Sequence, residues 1–177
     1  MQPRGPLMIE HRLIERMISL IDKEVKRIEN SNIVNQVFID TAVDFIRFYA
    51  DRTHHGKEEE ILFRDLAKKK LSDVDNAMMK ELTKEHAFGR AITADLARLA
   101  AAYQKGDKSA LPLITQNLRK FIDFYPNHID KEEKAFFPSS MKYLSEPEQQ
   151  SMLDEFWEFD RKMIHDRYKS VIETLEK

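Results

Sequence analysis

A duplicated pattern constrains this chain more than anything else in it. His54-His55-Gly56-Lys57-Glu58-Glu59-Glu60-Ile61-Leu62-Phe63 returns, altered, as His128-Ile129-Asp130-Lys131-Glu132-Glu133-Lys134-Ala135-Phe136-Phe137. Both copies read His, two free positions, then Lys-Glu-Glu, with a Phe five residues after the first Glu. Positions four apart face the same way on an α-helix. His54 with Glu58, and His128 with Glu132, therefore each set an imidazole beside a carboxylate. The repeat reaches upstream: His11 precedes His54 by 43 residues and His86 precedes His128 by 42, each directly after a Glu. Two helical hairpins packed antiparallel bring these four imidazoles and two carboxylates to the middle of one bundle. That donor set suits a pair of first-row transition ions.

The apolar spacing supports helices on either side of the pattern. Ile9, Leu13, Met17, Leu20, Ile21 and Val25 follow a helical period after Pro3 and Pro6, to about Glu29. A second helix is expected from about Ile33 through His54 and Glu58 to Lys70. Ser72 and Asp73 cap a third, which carries His86 and ends near Tyr103, before Lys105-Gly106-Asp107. A fourth opens at Ser109 and runs through Phe121 and Tyr125, where Pro126 is expected to kink it beside His128. Ser145 and Glu148 form a capping box for a last helix with Phe156, Trp157, Phe159, Ile164, Tyr168, Ile172 and Leu175 on its apolar side. The aromatic trio Phe156, Trp157 and Phe159 either closes the bundle or makes a homodimer contact, and core packing is the expectation. The fold class is thus all-α: an up-down-up-down four-helix bundle at about 7–140 with an additional C-terminal helix at about 146–177, all in one domain of residues 1–177.

The two halves differ at one point. Phe45-Ile46-Arg47-Phe48-Tyr49 matches Phe121-Ile122-Asp123-Phe124-Tyr125, yet His54 lies five residues past its Tyr and His128 only three. Two extra residues turn an α-helix by roughly 200°, so one segment must depart from regular winding if both halves are to present their ligands alike. Gly56, which costs about 1 kcal/mol against Ala inside a helix, marks a close approach or an irregularity in the same place.

With no cysteine, the chain has no disulfide, thiolate metal site, iron–sulfur cluster or cysteine nucleophile. Its formal charge of −2, with acidic and basic residues interleaved, shows neither a nucleic-acid footprint nor a polybasic membrane arm. No stretch approaches the ~20 apolar residues of a membrane span, and a cytoplasmic location is the default expectation. A nucleophile elbow, a phosphate-binding glycine loop and His-Glu-x-x-His are all missing, so common hydrolases are unsupported.

A lone His on an apolar helical face is more often a hydrogen-bonded core residue than a ligand. Four at repeated spacing reverse that balance, because burying several imidazoles and carboxylates without a cation costs several kcal/mol per unpaired ion. The candidate metal ligands are His11, His54, Glu58, His86, His128 and Glu132. Glu59, Glu60, Glu133, Lys57 and Lys131 read as a solvated charged face. His55 reads as a residue beside the ligands or on the surface, since the repeat puts Ile129 in its place. His165 has no counterpart and reads as an ordinary helix histidine. Glu15 reads as a surface residue, with a pairing to Arg90 suggested by their matching places in the two halves. Tyr49 and Tyr125 read as core. Nitrogen and oxygen donors without sulfur fit Fe, Mn or Zn, with iron the first choice and a dinuclear centre favoured by two shared carboxylates.

With these residues in view, the chain resembles the hemerythrin-like, or HHE cation-binding, domain family. The likeness runs roughly from His11 to Phe137, and its most specific part is His-x-x-x-Glu on the second and fourth helices with single histidines on the first and third. The resemblance implies a bundle holding two Fe ions in a non-haem di-iron centre that binds oxygen, nitric oxide or peroxide, or that senses iron. It also implies His11, His54, His86 and His128 as terminal ligands and Glu58 and Glu132 as bridges. Oxygen-carrying members have a second His on the third helix where this chain has Arg90, and an Asp five residues after the fourth-helix His where it has Glu132 at four. Fewer histidines leave more coordination places for water or substrate, which speaks against reversible oxygen carriage. The expected function is a binding and sensing module for a small diatomic or peroxide. The alternatives are a di-iron oxidase or peroxidase-type enzyme and a helical interaction domain stapled by Zn.

Overall fold

The computed structural model describes residues 1–175, with the side chains of all of these but 170, 174 and 175. Five helical rods follow one another. The first is Arg4–Ser31. The second, 36–66, begins as α-helix over Gln36–Phe45, takes π winding over Ile46–His55 and again over Glu58–Phe63, and ends at Arg64–Leu66. The third is Asp73–Gln104. The fourth is Ala110–Lys131, continued by a π turn at Glu132–Phe136 and by Phe137–Ser140, and the fifth is Glu146–Leu175.

The ends of the rods have local causes. Asn32, in the left-handed region at φ 54°, stops the first helix and donates its N–H to the Ile28 carbonyl. Asn35 caps the second helix by accepting from the Phe38 N–H, so that helix opens at Gln36 rather than Ile33. Ser72 caps the third by accepting from the Asp75 N–H, and the Glu148 carboxylate accepts from both the backbone and the hydroxyl of Ser145 at 2.8 Å, as a capping box requires. The fourth helix keeps α winding through Pro126, and its winding changes only at Glu132.

The third helix packs against the fourth and the second, the first packs against the fourth, and the fifth lies along the π-wound part of the second. Two apolar clusters fill the bundle. One gathers Ile14, Ile18, Ile21, Leu96, Ile114, Leu118, Phe121 and Ile129 among others. The other gathers Leu7, Ile61, Leu62, Phe63, Leu82, Phe136, Phe137 and Phe156. Each candidate histidine falls in the sequence between a member of one cluster and a member of the other, so the ligands form a polar layer that divides the core.

The irregularity between the halves is settled by the backbone. The Gly56 N–H reaches the Asp51 carbonyl and the Thr53 hydroxyl reaches the Phe48 carbonyl at 2.8 Å, both five residues back. The wider turn absorbs the two extra residues before His54. Elsewhere the apolar reading needs correction. The first helix buries Leu7, His11, Ile14, Ile18, Ile21, Val25 and Ile28, while Ile9 and Leu20 lie off that face and are 67% and 45% exposed. On the fifth helix Phe156 is buried and Phe159 packs beside it, but Trp157, one residue round the helix, is 62% exposed. Ile164, Tyr168 and Ile172 are exposed too, and Leu175 lies outside the described side chains.

Candidate metal centre

Five imidazoles and two carboxylates converge in the polar layer, and all seven residues are buried: His11, His54, His55, His86, His128, Glu58 and Glu132. They fall into two groups of facing donor atoms, His11 with His54, Glu58 and Glu132, and His55 with His86 and His128. The carboxylates reach from one group to the other. Glu58 turns Oε1 toward His54 Nε2 at 3.8 Å and Oε2 toward His86 Nε2 at 3.3 Å. Glu132 turns Oε2 toward His11 Nε2 at 3.1 Å and Oε1 toward His128 Nε2 at 3.3 Å. All six residues predicted from the sequence are therefore brought together, and each carboxylate has one oxygen for each group.

The outer side of every ring is held by another acid. His11 Nδ1 pairs with Glu133 at 2.8 Å, His54 with Glu10 at 2.9 Å, His86 with Glu59 at 2.7 Å and His128 with Glu85 at 2.8 Å. A looser contact of 3.4 Å joins His55 to Asp51. A carboxylate accepting from Nδ1 fixes the tautomer and leaves the Nε2 lone pair aimed inward, the arrangement that metal-binding histidines use. The repeated Phe also finds its role, since Phe63 stacks on His86 and Phe137 on His11, both with ring centroids 5.9 Å apart.

The interior of this layer is short of partners. The Nε2 atoms of all five histidines and both oxygens of Glu58 and Glu132 are buried without a hydrogen bond. Buried polar groups in native proteins are nearly always satisfied, so nine such atoms facing one another form a coordination sphere in outline. Nitrogen and oxygen donors, with no sulfur among them, fit Fe, Mn or Zn. Charge follows the same logic. Burial pushes His86 down, but Glu132, Glu58 and Glu59 outweigh it and raise the ring to about 11. For His11 burial is likewise overcome, by Glu132 and Glu58, and the value rises to about 8. Burial would raise Glu132, yet His128, His11 and His86 hold it well below the usual carboxylate range. His55 is the exception: burial and then the neighbouring imidazoles push it well down, so it stands neutral and ready to donate a lone pair.

Several sequence expectations are corrected here. His55 is not on the surface: it is buried beside the predicted ligands and stacks on His86 with ring centroids 3.9 Å apart. It is a candidate fifth imidazole, grouped with His86 and His128. Glu59 and Glu133 are not a solvated face but the partners of His86 and His11. Lys57 is fully buried between Glu10 and Asp160, and Lys131 holds Glu81 and Glu85. Arg90 pairs with Asp51 at 2.7 Å and Glu59 at 2.6 Å, whereas Glu15 pairs with Arg12 at 3.2 Å, so the suggested Arg90–Glu15 contact is not made. Glu60 is exposed, as the sequence suggested, and His165 lies exposed on the fifth helix, away from the polar layer. Tyr49 is half-buried, and burial with nearby Glu10 and Asp160 pushes its phenol up to about 12. Tyr125 is buried, and its phenol is pushed up by burial too.

The signal for His55 and Glu10 was present in part. Asp51 stands four residues before His55, and Glu10 and Glu85 each precede a lone histidine. Neither pattern is informative until the winding is known.

The model of the family described as Hemerythrin HHE cation binding domain matches residues 5–139. The chain belongs to this family. The match ends before the fifth helix, so the hemerythrin domain proper is the four-helix bundle with its polar layer, and the last helix is an addition to it. No curated protein and no solved structure matches the chain. As a hemerythrin HHE domain it is a cation-binding helical bundle, and no helix among the described residues is long and apolar enough to cross a membrane.

The fifth imidazole has a direct check. Replacing His55 with Leu is expected to weaken cation binding at the His55–His86–His128 group at least tenfold, on the order expected when a supporting group of a metal site is lost. His165→Leu should leave cation binding unchanged. Metal per chain, measured by plasma mass spectrometry after gel filtration, separates the two variants.

Proposed function

We propose that this hemerythrin HHE domain holds two iron ions and uses them to bind or sense a small ligand such as oxygen, nitric oxide or peroxide. The observation that carries this reading is the set of nine unpartnered donor atoms, in which each of two carboxylates faces both groups of histidines. His11 and His54 with one oxygen from each carboxylate offer four donors at one position. His55, His86 and His128 with the other oxygens offer five. Both numbers leave coordination room for a small exogenous ligand in an ion of octahedral preference.

When bound, a pair of iron ions supplies Lewis acidity and one electron from each ion. The chain's own residues do the rest. Glu133, Glu10, Glu59 and Glu85 orient the rings, and Phe63 and Phe137 cover two of them and exclude water. A pocket of about 160 Å³, bordered by Arg47, Asp51, His55, Arg90, Thr93 and Tyr125, reaches the five-donor side. That volume is ample for a diatomic or a peroxide with accompanying waters. The Tyr125 phenol keeps its proton there and is available to donate one hydrogen bond.

The test is metal analysis of protein purified from its own host without added metal, followed by nitric oxide added to the ferrous protein under argon. About two irons per chain and a change in visible absorption support the reading. Zinc or no metal favours a stapled interaction domain. Peroxide turnover well above that of free iron would move the assignment to the peroxidase-type alternative.

A further inference from the structure

The two halves of the polar layer are supported differently. In each, a lysine holds the carboxylate that orients a histidine: Lys131 donates to Glu85 behind His128, and Lys57 donates to Glu10 behind His54. The second anchor of Lys131 is Glu81, an exposed residue of the third helix and so of the four-helix bundle itself. The second anchor of Lys57 is Asp160, 2.6 Å away on the fifth helix. Lys57 is fully buried, and a buried ammonium keeps its place only while both carboxylates face it. One residue earlier, Gly56 lets the fifth helix come close: a Cβ there would lie 2.8 Å from the ring of Phe159. The helix outside the family match is therefore seated on the turn that carries His54, His55 and Glu58.

We propose that Lys57 and Asp160 are positioning residues for the His11–His54 metal position, so that the Asp160–Lys57–Glu10 chain ties this position, and not the His128 side of the three-histidine position, to the docked fifth helix. The inference rests on the metal-binding reading above. Because coupling between two equilibria is reciprocal, filling the His11–His54 position also tightens the fifth helix against the bundle. The bundle then reports occupancy of one ion on its outer surface.

The experiment is a cobalt(II) titration of the full chain followed by visible absorption, with hydrogen–deuterium exchange over residues 150–165 before and after loading. Asp160→Asn is expected to weaken one of two cobalt ions by roughly 10–100-fold, the usual effect of losing a group that orients a ligand, and to leave the other unchanged. Metal should protect residues 150–165 in the parent chain and not in Asp160→Asn, and Asp160→Glu should restore part of both effects. Lys131→Met should weaken the other ion without changing exchange in the fifth helix, which controls for general loosening of the fold. Two unchanged cobalt affinities in Asp160→Asn, or exchange in the fifth helix indifferent to metal, overturns the proposal. A parent chain that takes up no cobalt overturns the metal-binding reading itself, a different result from either.

Discussion

If the polar layer holds two ions, replacing Glu132 with Ala is expected to remove both, leaving less metal per chain than loss of any single imidazole. Its two oxygens face His11 on one side and His128 on the other, so no position keeps its full donor set without it. Glu133→Ala takes away only the acid behind His11 and should cost about 10–100-fold in affinity at one position. Glu60→Ala, at an exposed site, should cost nothing. Two effects compete in the Glu132 variant. Losing the carboxylate leaves raised imidazoles without a counter-charge, at about 3–5 kcal/mol for breaking a buried pair. Those imidazoles can escape part of that cost by releasing their protons, whereas the ions have no substitute ligand nearby. Metal loss should therefore exceed loss of fold, and plasma mass spectrometry beside circular dichroism measures both. A Glu132→Ala protein that still carries two ions would falsify the shared-carboxylate geometry.

Stripping the metal should lower the melting temperature by more than any surface substitution. An ion that binds only the folded chain stabilises it by about 4 kcal/mol when free metal is a thousandfold above its dissociation constant. For a domain of this size each kcal/mol moves the midpoint by about 2–4 °C. Two ions then contribute on the order of 15–30 °C under such conditions. The acid–imidazole contacts of Glu132 with His11, His86 and His128 persist without the metal and offset part of the loss. Calorimetry with and without chelator reads the difference, and coincident midpoints would mean that no ion contributes to the fold.

The bundle and most of its site were legible because both follow from helical spacing. His-x-x-x-Glu names two ligands on one face whatever the exact winding, and the duplication names their partners on the other helices. What stayed hidden depended on the backbone or on a neighbouring helix. His55 has no histidine counterpart, since the repeat puts Ile129 in its place; both are buried, so the repeat reveals the inward-facing position but not that an imidazole there faces His86 and His128. Lys57, Glu59 and Glu133 have the composition of a solvated face. Their burial comes from helices remote in sequence, Asp160 over Lys57 and the lone histidines against the two acids. Trp157 shows the reverse: apolar character is read from the sequence, but which way a residue points on a long helix depends on what covers it.

The polar layer has a topological consequence. In a chain without cysteine, each ion would cross-link helices far apart along the backbone, tying His11 to Glu132 much as a disulfide would. Such a tie restricts the unfolded chain most when the loop it closes is long. It has no sulfur–sulfur bond to reduce and gives way to chelators, so this protein's mechanical integrity would be set first by the metal supply.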